Sequence, residues 1–73
     1  MQSVDVHSVV SLRMGIPPLG LQCGDVGVVV NVWLQHGGVL FEVEFVQPYR
    51  SPVRTLLLSA QVEVLDPQTR DAA

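Results

Sequence analysis

Residues 24–45, GDVGVVVNVWLQHGGVLFEVEF, read as two strands joined by a short turn and entered through a glycine kink. Successive side chains in a strand point to opposite faces, so alternation sets Val26, Val28, Val30, Val32 and Leu34 on one side and Gly27, Val29, Asn31 and Trp33 on the other. Both sides are largely apolar. A strand of this kind is covered twice, or has one face in a core and the other in a subunit interface. Gly27 within it marks a bulge or a sharp bend, which would shift the alternation by one and bring Val29 inward. Gln35-His36-Gly37-Gly38 supplies the turn, with glycines able to take the positive φ that tight hairpins demand. The strand after it, 39–46, alternates cleanly, with Val39, Phe41, Val43 and Phe45 inward and Leu40, Glu42, Glu44 and Val46 outward.

The rest of the chain fits around this hairpin. Residues 8–14 (SVVSLRM) form a first strand of β-branched and apolar residues. Residues 15–24 follow as a long extended loop. Its two prolines lack backbone donors and are excluded from a central strand, and Ile16, Leu19 and Leu21 pin it over the core. Residues 47–52 (QPYRSP) turn the chain, 53–58 (VRTLLL) make a fourth strand, 59–61 a single helical turn, and 62–65 a closing strand. The domain therefore covers 1–65, and 66–73 (DPQTRDAA) is a polar tail expected to be disordered.

Five short strands, a long loop after the first and one helical turn before the last describe an all-β domain, a small five-stranded SH3-like barrel in which closure removes the sheet edges. The expected core holds Val9, Leu12, Val26, Val30, Val32, Phe41, Val43, Phe45, Leu57 and Val64.

The segments SVVSLRMGIPPLGLQCGDVGVVVNVW, FEVEFV and TLLLSAQVEVL also resemble a bacterial family of uncharacterised small proteins, a domain of unknown function. Its members read a V-V-x-L strand, a proline-bearing loop, G-L-x-x-G-D-x-G-x-V-V, a V-E-F strand and a terminal L-x-x-x-x-L segment. The resemblance runs over residues 8–65 and brings no activity with it. Gln47-Pro48-Tyr49-Arg50-Ser51-Pro52 departs from it, standing where a more acidic, glycine-bearing turn is expected, so this loop is a candidate for a role of its own.

Composition narrows the function classes. The chain carries seven carboxylates, four arginines and no lysine, a net charge of −3, which offers no polycationic surface for phosphates. Nucleic acid is thereby disfavoured as a partner, although the Gly24-x-x-Gly27-x-Val29 spacing resembles that of RNA-touching ribosomal modules. The longest apolar run, 26–34, is interrupted by Gly27 and Asn31 and falls far short of the about 20 residues that span a bilayer. With no basic n-region at the start, the expectation is a cytoplasmic protein without a membrane partner. Four aromatic residues, two of them claimed by the core, are too few to line a proline-peptide groove.

Chemistry is equally sparse. His7, Cys23 and His36 stand apart, without the paired spacing of a zinc site, so no metal and no cofactor are expected. Cys23 reads as a half-buried apolar residue rather than a reactive thiol, for want of a basic neighbour. Glu42 and Glu44 lie on one strand face as a solvated stripe rather than as acid and base. The chain is read as a non-enzyme, a protein-interaction or accessory module. The alternatives are an enzyme assembled around the pore of a small-barrel tetramer, as in a plasmid-borne dihydrofolate reductase whose V-Q-I-Y strand is missing here, or a nucleic-acid-binding barrel.

A chain of 73 residues hides only about 60% of the surface its unfolded form exposes. With a single cysteine, no intrachain disulfide compensates. Association is the remaining route. Leu56, Leu57 and Leu58 are consecutive, so at least one points away from the core. Together with Val29, Trp33, Leu40 and Val46, the outward Leu56 and Leu58 make up the candidate interface of a homo-oligomer, a dimer first, or of a heterologous protein partner.

Overall fold

The computed structural model describes residues 6–65, and within them five strands and two single 3-10 turns make up the regular structure. The strands are β1 (Val9–Leu12), β2 (Val26–Gln35), β3 (Gly38–Phe45), β4 (Val53–Leu58) and β5 (Val62–Leu65); the turns are Pro17–Leu19 and Ser59–Gln61. All pairings are antiparallel in the order β4-β3-β2-β1-β5. The all-β class and the succession of elements agree with the sequence. The tail at 66–73 lies outside the described residues.

One expectation changes. The sequence predicts a barrel whose closure removes the sheet edges, yet β4 and β5 are joined by the Ser59–Gln61 turn without pairing to each other, so the sheet is open along both strands.

The β2–β3 hairpin closes at Gln35↔Gly38 and runs to Val28↔Glu44, with one irregularity: Val29 faces Val43 and Asn31 faces Glu42, so Val30 has no residue opposite it. This bulge lies at Val30 rather than at Gly27. An extra residue reverses the phase of alternation on one side of it. Gly27 and Val29 therefore turn inward, as Val32 does beyond the bulge, and Val26 is left 51% exposed. Val29 is fully buried at 0%, which removes it from the candidate interface, and Val26 leaves the expected core.

The buried cluster is Val10, Leu12, Leu21, Val29, Phe41, Val43, Phe45, Leu57 and Val62. In β1 the inward residues are Val10 and Leu12, two apart; Val9 is half-buried on the other face, opposite Val28 and Leu65. Val30 is half-buried at the bulge, and Val32 and Val64 pack against the cluster from its margin. The loop after β1 behaves as expected. Ile16 and Leu21 exchange backbone hydrogen bonds of 2.8 and 3.2 Å around the prolines, Leu21 is buried, and Ile16 and Leu19 pack on the core.

Gly27 has a packing reason to be glycine. A Cβ built there would stand 2.6 Å from Val43 Cγ1 and 2.8 and 2.9 Å from ring carbons of Phe45, closer than such atoms approach. The core seats the β3 side chains directly on the β2 backbone at that point.

Candidate interaction surface

The register of β2, β3 and β4 assembles the outward residues into rows. Trp33, Leu40 and Leu58 lie side by side across the three strands; the next row is Asn31, Glu42 and Leu56, and the third is Val28, Glu44 and Arg54. Neighbouring strands run about 4.8 Å apart, so residues in a row and in adjacent rows are in reach of each other. Trp33, Leu56 and Leu58 are 41%, 54% and 57% exposed, and Leu40 between them is half-buried. Four of the six sequence candidates thus form one patch.

The other two do not join it. Val29 is in the core, and Val46, although 70% exposed, follows the far end of β3, about 20 Å along the strand from Leu40. The sequence supplied the outward-facing leucines but not their neighbours, because adjacency across strands depends on register, and register here depends on the bulge.

The polar residues of the second and third rows are paired with each other across the strands, and Val28 completes the third row at 38% exposure. Asn31 Nδ2 donates to Glu42 Oε1 at 2.9 Å, and Arg54 Nε approaches Glu44 Oε2 at 3.8 Å. Each glutamate therefore has its own cross-strand partner.

The remaining chemical candidates are dispersed. Cys23 is exposed, not half-buried, because it occupies the outer side of the turn before β2, where its thiol donates to the Arg13 carbonyl at 3.2 Å. His36 is exposed at the hairpin tip. His7 is exposed before β1, with its N–H on the Val29 carbonyl at 2.7 Å. No group of three or more His, Cys, Asp or Glu side chains suited to a metal ion occurs among the described residues. Among the same residues no helix is long and apolar enough to cross a membrane.

Two structural roles explain residues whose chemistry invited a functional reading. Gly24 takes φ +92° as the third residue of the turn 22–25, a conformation that side-chain-bearing residues rarely adopt. The Asp25 N–H donates to the Gln22 carbonyl at 3.0 Å, while the Gln22 N–H donates to Asp25 Oδ2 at 2.8 Å, closing the turn from both ends. The loop 47–52 fastens two loops together. Arg50 Nη2 donates to the Leu19 carbonyl at 2.6 Å and Nη1 to that of Gly20 at 3.4 Å, and Gln47 Nε2 reaches Asp25 Oδ2 at 3.4 Å. Sequence flagged this loop by its composition, but nothing in the chain order announces that Arg50 meets a loop 30 positions away.

Residues 6–49 match the family model for a domain of unknown function, DUF4926. The matched span contains β1 to β3, including both Gly27 and the Val43 and Phe45 side chains that fill the space above it, and stops before Leu56 and Leu58. Neither a curated protein nor a solved structure matches the chain. The comparisons indicate no catalytic family. The match covers more than half of the sequence, and the chain belongs to the family of the domain of unknown function DUF4926.

Proposed function

We propose that this protein is a non-catalytic docking module, an SH3-like small barrel that binds another protein chain through the outer face of β2, β3 and β4. The observation that carries the reading is the contiguous patch of Trp33, Leu40, Leu56 and Leu58, half-exposed on a face whose polar residues are already paired with each other. Contiguous apolar surface on a small soluble domain marks an interaction site, and an aromatic anchor flanked by aliphatic side chains is the usual composition of an interface centre. The barrel reading is supported by the core: all five strands contribute buried residues from one face of a single sheet, and with no helical layer to cover it that face is buried by curling.

Photo-crosslinking tests the reading. A photoreactive side chain at position 58 is expected to capture a defined protein band, a second copy of the chain included. The same group at Tyr49, 97% exposed in the loop 47–52, is expected to capture none. Equal capture from both positions overturns the assignment of this face.

A further inference from the structure

We infer that a second copy of the chain pairs with the open edge of β4, so that the two sheets continue as one across a two-fold axis and the two docking faces lie side by side. The inference rests on the docking reading above, whose Leu56 and Leu58 border this edge, and adds to it a second copy at the edge and the geometry of the pairing.

The backbone carries the first part. In an antiparallel ladder the N–H and C=O of a residue point together, either to the partner strand or away from it, and the direction alternates along the strand. Leu58 faces Leu40 in register, yet its N–H donates to Gln61 Oε1 at 2.8 Å instead of to β3. Its amide therefore points to the open side. By alternation the amides of Leu56 and Arg54 point the same way, whereas Val53, Thr55 and Leu57 serve the ladder to β3. The hairpin agrees: two residues inside the closing pair Gln35↔Gly38 direct the Leu40 amide toward Trp33 and away from β4.

The two sheet edges differ in how far they are blunted. Natural proteins protect exposed edges with prolines, charges or extreme shortness. β5 has four residues, one of them Glu63. β4 has six, with Arg54 as its one charged residue and no proline. The exposed edge is thus the longer and less guarded one, and it is bordered by Leu56 and Leu58.

Area argues against stacking two such faces on each other. With roughly half of Trp33, Leu56 and Leu58 exposed, the three side chains offer about 300–400 Å² per copy, against roughly 800 Å² per partner in a standard interface. The face alone falls short. Antiparallel pairing centred on Leu56 recruits the strand edge itself through the Arg54 and Leu56 amides, with the Leu58 N–H left on Gln61, and sets Leu56 beside the partner subunit's Leu56 and Arg54 beside the partner subunit's Leu58, so that the two patches meet at the axis. A two-fold contact requires such self-complementarity, and closed two-fold dimers are the commonest assemblies.

Sedimentation and one substitution test the geometry. The wild-type chain is expected to sediment at micromolar concentration as a species of twice 8.0 kDa. Arg54→Pro removes an edge N–H, retains all four apolar side chains, and suits an edge strand whose N–H faces outward. It is expected to be monomeric with an unchanged circular dichroism spectrum. A dimer that survives Arg54→Pro but is lost in Leu58→Glu overturns edge pairing and leaves the docking face standing. A wild-type monomer, or an assembly of three or more copies, overturns the inference itself, while cross-linking from position 58 reports separately on the face. Should Arg54→Pro fail to fold, hydrogen exchange in the wild type replaces it. Slower exchange at the Arg54 and Leu56 amides in concentrated than in dilute protein supports the pairing, and exchange independent of concentration overturns it.

Discussion

The two faces of the β2–β3–β4 sheet are built from similar residues and meet opposite fates. On the inner face Phe41, Val43, Phe45 and Leu57 are buried, Val43 and Phe45 directly over Gly27; on the outer face Trp33, Leu56 and Leu58 remain about half-exposed. Hydrophobicity does not separate the two sets. Leu57 differs from its neighbours Leu56 and Leu58 only in parity, as Val29 does from Val28, and the bulge after Val29 sets which parity of β2 points inward. Burial is decided here by phase along the strand, and phase is decided by a single extra residue at Val30.

Truncating the inner face gives the largest expected effect. Phe41→Ala removes a buried ring in the middle of β3 and leaves a cavity, at about 3–5 kcal/mol, which is a large part of the stability of a small domain. Urea denaturation should show the variant largely unfolded without denaturant; a loss below about 1 kcal/mol would place the ring outside the core. Overfilling the same face comes next. Gly27→Ala drives a methyl into Val43 Cγ1 and the Phe45 ring, with an expected cost of about 1–3 kcal/mol. The cost should shrink in a Val43→Ala background, where one of the two obstructions is gone, and a double-mutant cycle reads that coupling directly. An unchanged cost would show that Gly27 is required for a reason other than space.

How far this contrast was legible in the sequence follows from its physical basis. The β3 alternation is local, so Phe41, Val43 and Phe45 were assigned inward correctly, and the bounds of β4, the 59–61 turn and β5 followed from equally local signals. The β2 assignment failed at Val26 and Val29 because a bulge costs no distinctive residue when its extra position is one valine in a run of three. In β1 the inward residue is Val10 rather than Val9, and the signal for it lies in Ser11 and Arg13, which share Val9's side of the strand. The patch was visible as separate residues and not as a surface, since Trp33, Leu40 and Leu58 become neighbours only through the register of two hairpins. Arg50 was invisible as a fastener because its partners are backbone carbonyls, which any residue supplies.

That fastener gives a smaller expected effect, outside both faces. Arg50→Ala withdraws two hydrogen bonds from the loop at Leu19 and Gly20, exposed to solvent, at about 0.5–1.5 kcal/mol. Arg50→Lys is expected to recover little of it, because an ammonium does not span two carbonyls as the guanidinium fork does. Thermal denaturation gives the loss, and limited proteolysis at 15–24 should accelerate in Arg50→Ala if the loop is held as described. An unaltered cleavage rate would mean that Ile16, Leu19 and Leu21 hold the loop unaided.

The smallest effect is expected on the outer face, and its size is what separates the two faces. Leu56 is 54% exposed and makes no hydrogen bond to β3 through its amide in the register described, so Leu56→Gln should alter the stability of the dilute, monomeric chain by no more than about 0.5 kcal/mol. Concentration changes the expectation. A partner that binds the folded state stabilises it by mass action, so the wild-type melting temperature should rise as protein concentration rises. Leu56→Gln should flatten that dependence by placing a polar amide where the two patches meet, and the variant should fall behind the wild type only in concentrated solution. The same substitution at Leu57, one residue along, should be severely destabilising at every concentration, because it forces a polar group into a buried site without a partner. A Leu56→Gln variant that loses stability equally in dilute and concentrated solution would show that Leu56 packs as a core residue, and that the two faces of this sheet differ less than their exposure indicates.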